Sequence, residues 1–201
     1  MSKKEIIFQN YLYNSKQYKI NLKKTKFFFN SFLIDLKKSN IPLLDSYKEN
    51  YDFDFSNQLI KKYSKYKNII IFGMGGSILG TKSFFSFFKR KIKKKFFFFD
   101  NLDLNLFTEY KEIKNLKSSC FIVVSKSGHT LETITNLGAA FSKKLFKGKM
   151  VFITEIKENA LLELADKYNA DIIEHKEFIS GRYSVLSESA MFPAALMGLK
   201  F

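Results

Sequence analysis

From Ile69 onward, short apolar runs alternate with stretches of helical periodicity. The apolar runs are bounded by polar residues and are predicted to be buried strands, at 69–72, 96–99, 121–124, 151–153 and, more weakly, 172–173. Helices are predicted near 78–88, 104–116, 131–145 and 158–168, and a last one from about Ser184. Alternation of this kind requires crossover connections, so it predicts an α/β fold in which helices cover both faces of a parallel sheet.

The part of the chain before this alternation has a different character. All nine glycines lie at or after Gly73, and Pro42 is the only strong helix breaker before it. Apolar residues recur at helical spacing between Phe28 and Leu36. We therefore predict two regions, a helical lead-in at residues 1–66 and an α/β domain at 67–201.

The formal net charge of +15 could indicate a nucleic-acid or membrane partner. Only Arg90 and Arg182 are arginines, however, and the other basic residues are lysines. Proteins that read nucleic acid usually need the forked donors of arginine, whereas lysine readily forms a solvated surface. The composition favours a solvated lysine surface and predicts no nucleic-acid partner. With 46% hydrophobic residues, the chain is also not of the disordered class.

Cysteine usage and hydropathy bear on where the chain works. Cys120 is the single cysteine, so no internal disulfide can form, and a reducing compartment is predicted. The first residues contain no continuous apolar core of signal-peptide length. No segment approaches the ~18 apolar residues of a membrane-spanning helix. A soluble, cytoplasmic protein without a membrane partner is expected.

A glycine-rich loop, Gly73-Met74-Gly75-Gly76-Ser77, follows the first predicted strand. Glycines there let the backbone turn sharply and approach a ligand closely, and Ser77 can present both its N–H and its hydroxyl. A dinucleotide loop is one alternative, with Asp100 after the next strand as the acidic partner of a ribose. The pattern for that loop would require glycine where Ile78 stands. A purely structural strand-to-helix turn is the other alternative.

A hydroxyl-rich loop, Ser125-Lys126-Ser127-Gly128-His129-Thr130, follows the third predicted strand and precedes a helix. Three hydroxyls, free N–H groups at a helix N-terminus and one lysine are the groups that an anion requires. No P-loop sequence accompanies them, so the loop suits a phosphomonoester better than a nucleoside triphosphate. The alternative is that the hydroxyls only cap the helix. Ligands of such sheets bind at the carboxyl ends of the strands, where both loops lie.

A third motif, Gly181-Arg182-Tyr183-Ser184, lies further along the chain. In order and spacing, the three motifs together resemble the N-terminal half of the glucose-6-phosphate isomerase family. The middle motif alone would indicate only the wider group of sugar isomerase (SIS) domains. The resemblance covers roughly residues 45–201, and it implies a three-layer αβα SIS fold.

The resemblance also implies a reaction and roles for single residues. The family interconverts glucose 6-phosphate and fructose 6-phosphate through an enediolate, without a metal or an organic cofactor, and the complete protein is expected to be a homodimer. Arg182 would be the catalytic residue that faces the reacting carbons. Its permanent charge could stabilise an enediolate, although a surface ion pair is the alternative. Substrate would be bound by residues of the first two motifs: Gly76, Ser77, Ser125, Lys126, Ser127 and Thr130.

The chain departs from the family pattern after the third motif. The family's carboxylate base, ring-opening histidine and late lysine lie in segments well downstream, whereas this chain stops 19 residues after Arg182. It therefore resembles a truncated isomerase that leads toward a missing second SIS domain, and no base is assigned to it. Two alternatives stay open: a stand-alone SIS module that senses a sugar phosphate, and an isomerase of another sugar phosphate.

Overall fold

The computed structural model describes residues 15–38, 41–103, 108, 111, 113, 116–142 and 148–201. The chain divides into two compact units, residues 1–44 and 45–201. In the first unit, helix α1 spans Lys16–Lys37, and the side chain of Ser15 caps it by accepting a hydrogen bond from the N–H of Tyr18. None of the residues of this helix is buried.

The second unit is built on a five-stranded parallel sheet with the order β2-β1-β3-β4-β5. The strands are β1 Asn68–Gly73, β2 Lys95–Phe99, β3 Ser119–Val124, β4 Lys149–Thr154 and β5 Asp171–Glu174. Every predicted strand is therefore confirmed, each slightly longer than its apolar run. The three central strands, β1, β3 and β4, are almost completely buried, because helices cover both of their faces.

Five helices accompany this sheet among the described residues. They are α2 Asn57–Ser64, α3 Gly76–Phe88, α4 Leu131–Ser142, α5 Ala160–Tyr168 and α6 Glu188–Leu196. Short 3-10 turns occur at Pro42–Tyr47, Leu116–Ser118 and Gly181–Leu186. The predicted helix at 104–116 lies mostly outside the described residues, as does the end of the one at 131–145. No helix in the described segments is long and apolar enough to cross a membrane.

The core consists of two layers, one on each face of the sheet. Alternate residues of β1 point to opposite faces, so that Ile69 and Ile71 join one layer and Ile70 and Phe72 join the other. The first layer is closed by apolar residues of α2, α3 and α6, and the second by those of α4 and α5. Each fully buried isoleucine or phenylalanine contributes roughly 1.5–3 kcal/mol of hydrophobic free energy. The predicted three-layer αβα arrangement is confirmed.

Residues 45–66 belong to the same compact unit as the sheet, and the domain boundary after residue 66 stays a prediction. Tyr63 of α2 is 1% exposed and packs in the core; its hydroxyl donates a hydrogen bond to Asp171, and the same oxygen lies 3.0 Å from the carbonyl oxygen of Met150. Lys62 forms an ion pair with the same Asp171. Lys62 and Tyr63 are thus joined to a strand residue about 110 positions further along the chain, a contact that local periodicity cannot reveal.

The segment after Arg182 also differs from the prediction of a helix from Ser184. A 3-10 turn occupies Gly181–Leu186, and α6 begins only at Glu188. The hydroxyl of Ser184 donates to the carbonyl of Gly181, and that of Ser187 donates to the carbonyl of Ser184. Serine hydroxyls that bond nearby carbonyls compete with regular helical hydrogen bonding, which accounts for the delayed helix start.

Candidate functional site

The glycine-rich and hydroxyl-rich loops lie side by side at the carboxyl edge of the sheet. β1 and β3 are hydrogen-bonded neighbours, and their register pairs Gly73 with Val124, the last residue of each strand. A side chain at Gly73 would contact the carbonyl oxygen of Val124 at 3.2 Å. Because the last residues of the two strands are paired, the loops at 74–77 and 125–130 begin next to each other at the same edge of the sheet.

The glycine-rich loop turns directly into α3. Gly75 precedes the helix with a φ of 55°, a conformation that glycine adopts without the strain of a Cβ. Its carbonyl accepts hydrogen bonds from the N–H groups of Ile78 and Leu79. Ile78 is completely buried and joins the core. Ile78, which stands where a dinucleotide loop would need glycine, therefore attaches the start of α3 to the core.

Gly76 brings the first and third motifs into contact. A Cβ built on Gly76 would lie 1.9 Å from the carbonyl oxygen of Gly181 and 2.9 Å from the Cα of Arg182, so only glycine fits there. The hydroxyl oxygen of Ser184 lies 3.2 Å from the carbonyl oxygen of Gly76, while its proton is donated to Gly181. Two segments about 105 residues apart are thus held backbone to backbone, beside the carboxyl edge.

The hydroxyl-rich loop is a compact turn. The Oγ of Ser125 and the Oγ1 of Thr130 lie 2.8 Å apart in a hydrogen bond, and the N–H of Gly128 donates to the carbonyl of Ser125. The hydroxyl of Ser127, which is exposed, accepts from the N–H of His129. α4 begins at Leu131 and directs the positive end of its dipole at this turn. Hydroxyls and a helix N-terminus are therefore adjacent, as predicted.

Lys126 is held by acceptors on two neighbouring loops. Its Nζ donates to the carbonyl oxygen of Glu177 at 2.6 Å and lies 3.3 Å from a carboxylate oxygen of Glu155. The backbone carbonyl of Lys126 accepts from the N–H of Glu155 and the hydroxyl of Thr154. Burial raises the pKa of Glu155, but hydrogen bonds from Lys157 and Lys126 outweigh burial and leave that pKa below its usual value. The ammonium is thus engaged by protein groups in this structure.

The side chain of Asn159 packs against Gly128 of the hydroxyl-rich loop, and this residue was not predicted from the sequence. A Cβ on Gly128, whose φ is 69°, would lie 2.0 Å from the side-chain oxygen of Asn159. That oxygen accepts from the N–H groups of Leu161 and Leu162, and the amide nitrogen donates to the carbonyls of Glu155 and Lys157. An asparagine directly before a helical stretch is a recognisable cap signal, but its contact with Gly128 is tertiary.

His175 is a second buried polar residue at this edge that the sequence did not single out. It follows β5 and is completely buried, and its backbone N–H donates to the carbonyl of Thr154. Its Nε2 has no hydrogen-bond partner among the described residues. Burial lowers the pKa of His175 below its usual value, which favours the neutral imidazole.

Arg182 is exposed beside the contact between Gly76 and Gly181. It forms no ion pair with any residue that the structure describes, in contrast to the surface ion-pair alternative. Asp100, the ribose partner in the dinucleotide alternative, instead forms an ion pair with Lys82 of α3. The described side chains include no cluster of three or more histidine, cysteine or acidic residues suited to a metal ion.

Comparison with known proteins agrees with this arrangement of motifs. The family model described as phosphoglucose isomerase matches residues 53–199, well over half of the chain. The chain belongs to the phosphoglucose isomerase family. Glucose-6-phosphate isomerase of Methanocaldococcus jannaschii is 35% identical over 151 residues, and the match covers 73% of this chain. The enzyme of the same name from Borreliella afzelii is 31% identical over 182 residues, with 77% of this chain covered.

Solved structures show the same relationship at the level of the fold. A glucose-6-phosphate isomerase from Chlamydia trachomatis aligns with 70% of this chain and 29% of its own, at 25% identity and a TM-score of 0.56. A hypothetical protein from Thermus thermophilus aligns with 71% of this chain and 37% of its own, at 24% identity and a TM-score of 0.63. The chain spans about a third of the length of the curated phosphoglucose isomerases that it matches.

Proposed function

We propose that this chain is the phosphate-binding portion of a glucose-6-phosphate isomerase, which interconverts glucose 6-phosphate and fructose 6-phosphate through an enediolate. The observation that carries the proposal is the junction of three motifs at one sheet edge. The register of β1 and β3 sets Gly73 beside Val124, and the bare backbone of Gly76 packs on Gly181 and Arg182. The hydroxyl-rich loop and the backbone that carries Arg182 therefore both lie next to the glycine-rich loop, which supports the proposal.

In this proposal, the hydroxyl-rich loop binds the 6-phosphate. The hydroxyls of Ser125, Ser127 and Thr130 and the N–H groups at the start of α4 supply donors, and the helix dipole adds a partial positive charge. Lys126 contributes its charge from a position in which its ammonium is engaged by Glu155 and the Glu177 carbonyl.

Gly76, Ser77 and Arg182 act on the sugar in the same proposal. Gly76 and Ser77 contact the sugar from the start of α3. As a base removes the proton from C2 or C1, negative charge develops on the adjacent oxygens. Arg182 stabilises that charge because its guanidinium stays protonated and presents several donors. No residue described is assigned as the base, so we expect no turnover from these 201 residues alone.

A stand-alone module that senses a sugar phosphate is the alternative from a different class. Such a module would need the hydroxyl-rich loop but not an arginine whose backbone packs on the glycine-rich loop. The contact of Gly76 with Gly181 favours the isomerase. A cytoplasmic location, a homodimeric longer protein, independence from metals and cofactors, and the lack of nucleic-acid and membrane partners stay predictions.

The proposal is tested by calorimetric titration of the 201-residue chain with fructose 6-phosphate. We expect Thr130→Ala to weaken binding by roughly 1–3 kcal/mol, the range for a lost charge-assisted hydrogen bond. Thr130→Ser keeps the hydroxyl and serves as the matched control, with affinity close to that of the unchanged protein. Fructose, which lacks the phosphate, is expected to bind far more weakly. Equal affinities of the folded Ala and Ser variants would leave Thr130 only a helix-capping role.

A further inference from the structure

A lysine-lined cavity of about 460 Å³ lies at the opposite edge of the sheet, where β1 and β2 begin. Five of the nine residues that line it are lysines: Lys65, Lys67, Lys93, Lys94 and Lys95. Lysine accounts for 32 of the 201 residues, so nine positions would hold one or two by composition alone. The cavity is within the size range of small-ligand sites.

Among the described residues that line this cavity, none is an aspartate or a glutamate. Ion pairs among the described residues use lysines at six other positions, and none of the five cavity lysines takes part. Like charges gathered without counterions repel one another and lower stability. An arrangement that costs stability is a feature that a binding function would explain.

The backbone that carries these lysines is held in place by hydrogen bonds. The N–H of Lys95 donates to the carbonyl of Lys67, and the N–H of Lys67 donates to the carbonyl of Ser118. Beyond them, the register sets Asn68 between Lys95 and Ser119. The starts of three parallel strands therefore hold the lysine-bearing segments side by side, so that an incoming anion meets positions that are already ordered.

Lys94 is the member of the group whose charge is partly withdrawn from solvent. Its Nζ donates to the carbonyl oxygen of Ser64 at the end of α2, at 2.6 Å. Burial lowers the pKa of Lys94 below its usual value, since the described surroundings offer its ammonium no carboxylate. An anion in the cavity would supply the missing charge.

We propose that this cavity binds a small molecule that carries two or more phosphate groups, at a site separate from the hydroxyl-rich loop. A single phosphate dianion is balanced by two ammonium groups, whereas five ammonium groups on two segments match a chain of phosphates. The lysines converge on a concave site of bounded volume, which suits a compact polyanion better than the extended backbone of a nucleic acid. The site does not depend on the proposed function of the other edge.

Sodium tripolyphosphate is the probe, titrated calorimetrically into the 201-residue chain at fixed ionic strength. We expect saturable 1:1 binding that is at least tenfold tighter than that of inorganic phosphate. The double variant Lys67→Gln/Lys95→Gln is expected to lose at least tenfold in affinity. Its matched control, Lys167→Gln/Lys200→Gln, removes two exposed lysines outside the cavity and has the same net charge; it should change affinity less than twofold.

Thr130→Ala separates the two edges of the sheet, because Thr130 lies in the hydroxyl-rich loop. We expect this variant to bind tripolyphosphate within twofold of the unchanged chain. A loss of tripolyphosphate binding in Thr130→Ala would transfer the site to the carboxyl edge and overturn the proposal. Equal losses of affinity in the Lys67/Lys95 and Lys167/Lys200 double variants would show only non-specific charge attraction and would overturn the proposal. The absence of saturable tripolyphosphate binding would also overturn the proposal. The thermal midpoint of each variant without ligand checks that it is folded.

Discussion

At the scale of single residues, the candidate site depends on where a side chain is missing. Gly76 and Gly128 both lie where a Cβ would overlap another segment, the backbone of Gly181 in one case and the side chain of Asn159 in the other. The two contacts fix the positions of the glycine-rich and hydroxyl-rich loops. Glycine at these positions is thus a packing requirement as well as a turn requirement.

We expect Gly76→Ala to lower the free energy of unfolding by about 1–3 kcal/mol, as for other overpacked sites, because the new methyl group forces the loop away from Gly181. Gly138→Ala is the matched control. Gly138 lies in α4, and no described atom outside the backbone of its own helix lies within 4 Å of a Cβ there, so alanine should stabilise by roughly 0.5–1 kcal/mol through its helix propensity. Urea unfolding of both variants measures the difference, and two changes of the same sign would contradict the packing argument.

Arg182 gives the second prediction at this scale, and it concerns a longer isomerase that contains this chain. Arg182→Lys should lower kcat more than it raises KM for fructose 6-phosphate, because lysine keeps the charge but loses the planar fork of donors. Steady-state kinetics in a coupled assay measures both constants. An unchanged kcat would remove Arg182 from the reacting centre.

At the scale of elements, the hydroxyl-rich loop depends on the loop between β4 and α5. Asn159 joins the two, since it caps α5 with its side-chain oxygen and donates from its amide to the carbonyls of Glu155 and Lys157. Glu155 in turn binds Lys126 through its backbone and side chain. The position of the loop after β3 is thus determined by the residues that follow its neighbour β4.

We expect Asn159→Asp to destabilise the chain by about 1–3 kcal/mol, although aspartate is an equally good helix cap in general. The change replaces a buried amide donor by a carboxylate oxygen that faces two carbonyl oxygens. Ser56→Asp is the control, because Ser56 caps α2 at an exposed site by accepting from the N–H of Leu59. The free energy of unfolding of Ser56→Asp should be unchanged or slightly raised. Equal effects at the two caps would show that the hydrogen bonds donated by the Asn159 amide do not contribute to stability.

At the scale of the whole molecule, the sheet separates two chemically different edges. The carboxyl edge carries hydroxyls, a helix N-terminus and Arg182, and the amino edge carries the lysine-lined cavity. His175, one of the two histidines in the chain, lies at the carboxyl edge and is completely buried. Because burial disfavours its charged form, protonation of this residue affects the stability of the whole molecule.

We expect His175 to make stability depend on pH. Burial lowers the pKa of His175 in the folded state below the unfolded value of about 6.5, so the unfolded chain binds the proton more readily. Stability therefore falls as the pH drops below ~6.5, and it falls further until the pH reaches the folded pKa. One proton contributes a slope of at most ~1.4 kcal/mol per pH unit.

Urea unfolding between pH 4.5 and 8 measures this slope for the unchanged chain and for two variants. His175→Gln should remove this contribution to the slope while keeping a polar side chain. His129→Gln changes the other histidine, whose side chain is exposed, and serves as the matched control. A slope that survives in His175→Gln would assign the pH dependence to other groups.

The sequence by itself determined the class of fold, the five strands and the family. Apolar runs of strand length in strict alternation with helical periods admit few arrangements other than a covered parallel sheet. The three motifs also predicted a phosphate-binding edge, since parallel strands bring their carboxyl ends to one side; that role stays a prediction. Both inferences rest on local patterns in the sequence, and such patterns can be recognised without knowledge of the tertiary packing.

Only the tertiary structure decided which residues meet. Gly76 contacts Gly181 across about 105 residues, Tyr63 of the predicted lead-in bonds to Asp171 of the last strand, and Lys126 is held by Glu155 rather than left free. The lysines at 65–67 and 93–95 form one cavity because β1 and β2 start side by side. Contacts between distant segments depend on strand order and register, and no local periodicity contains either, so these partners could not be read from the sequence.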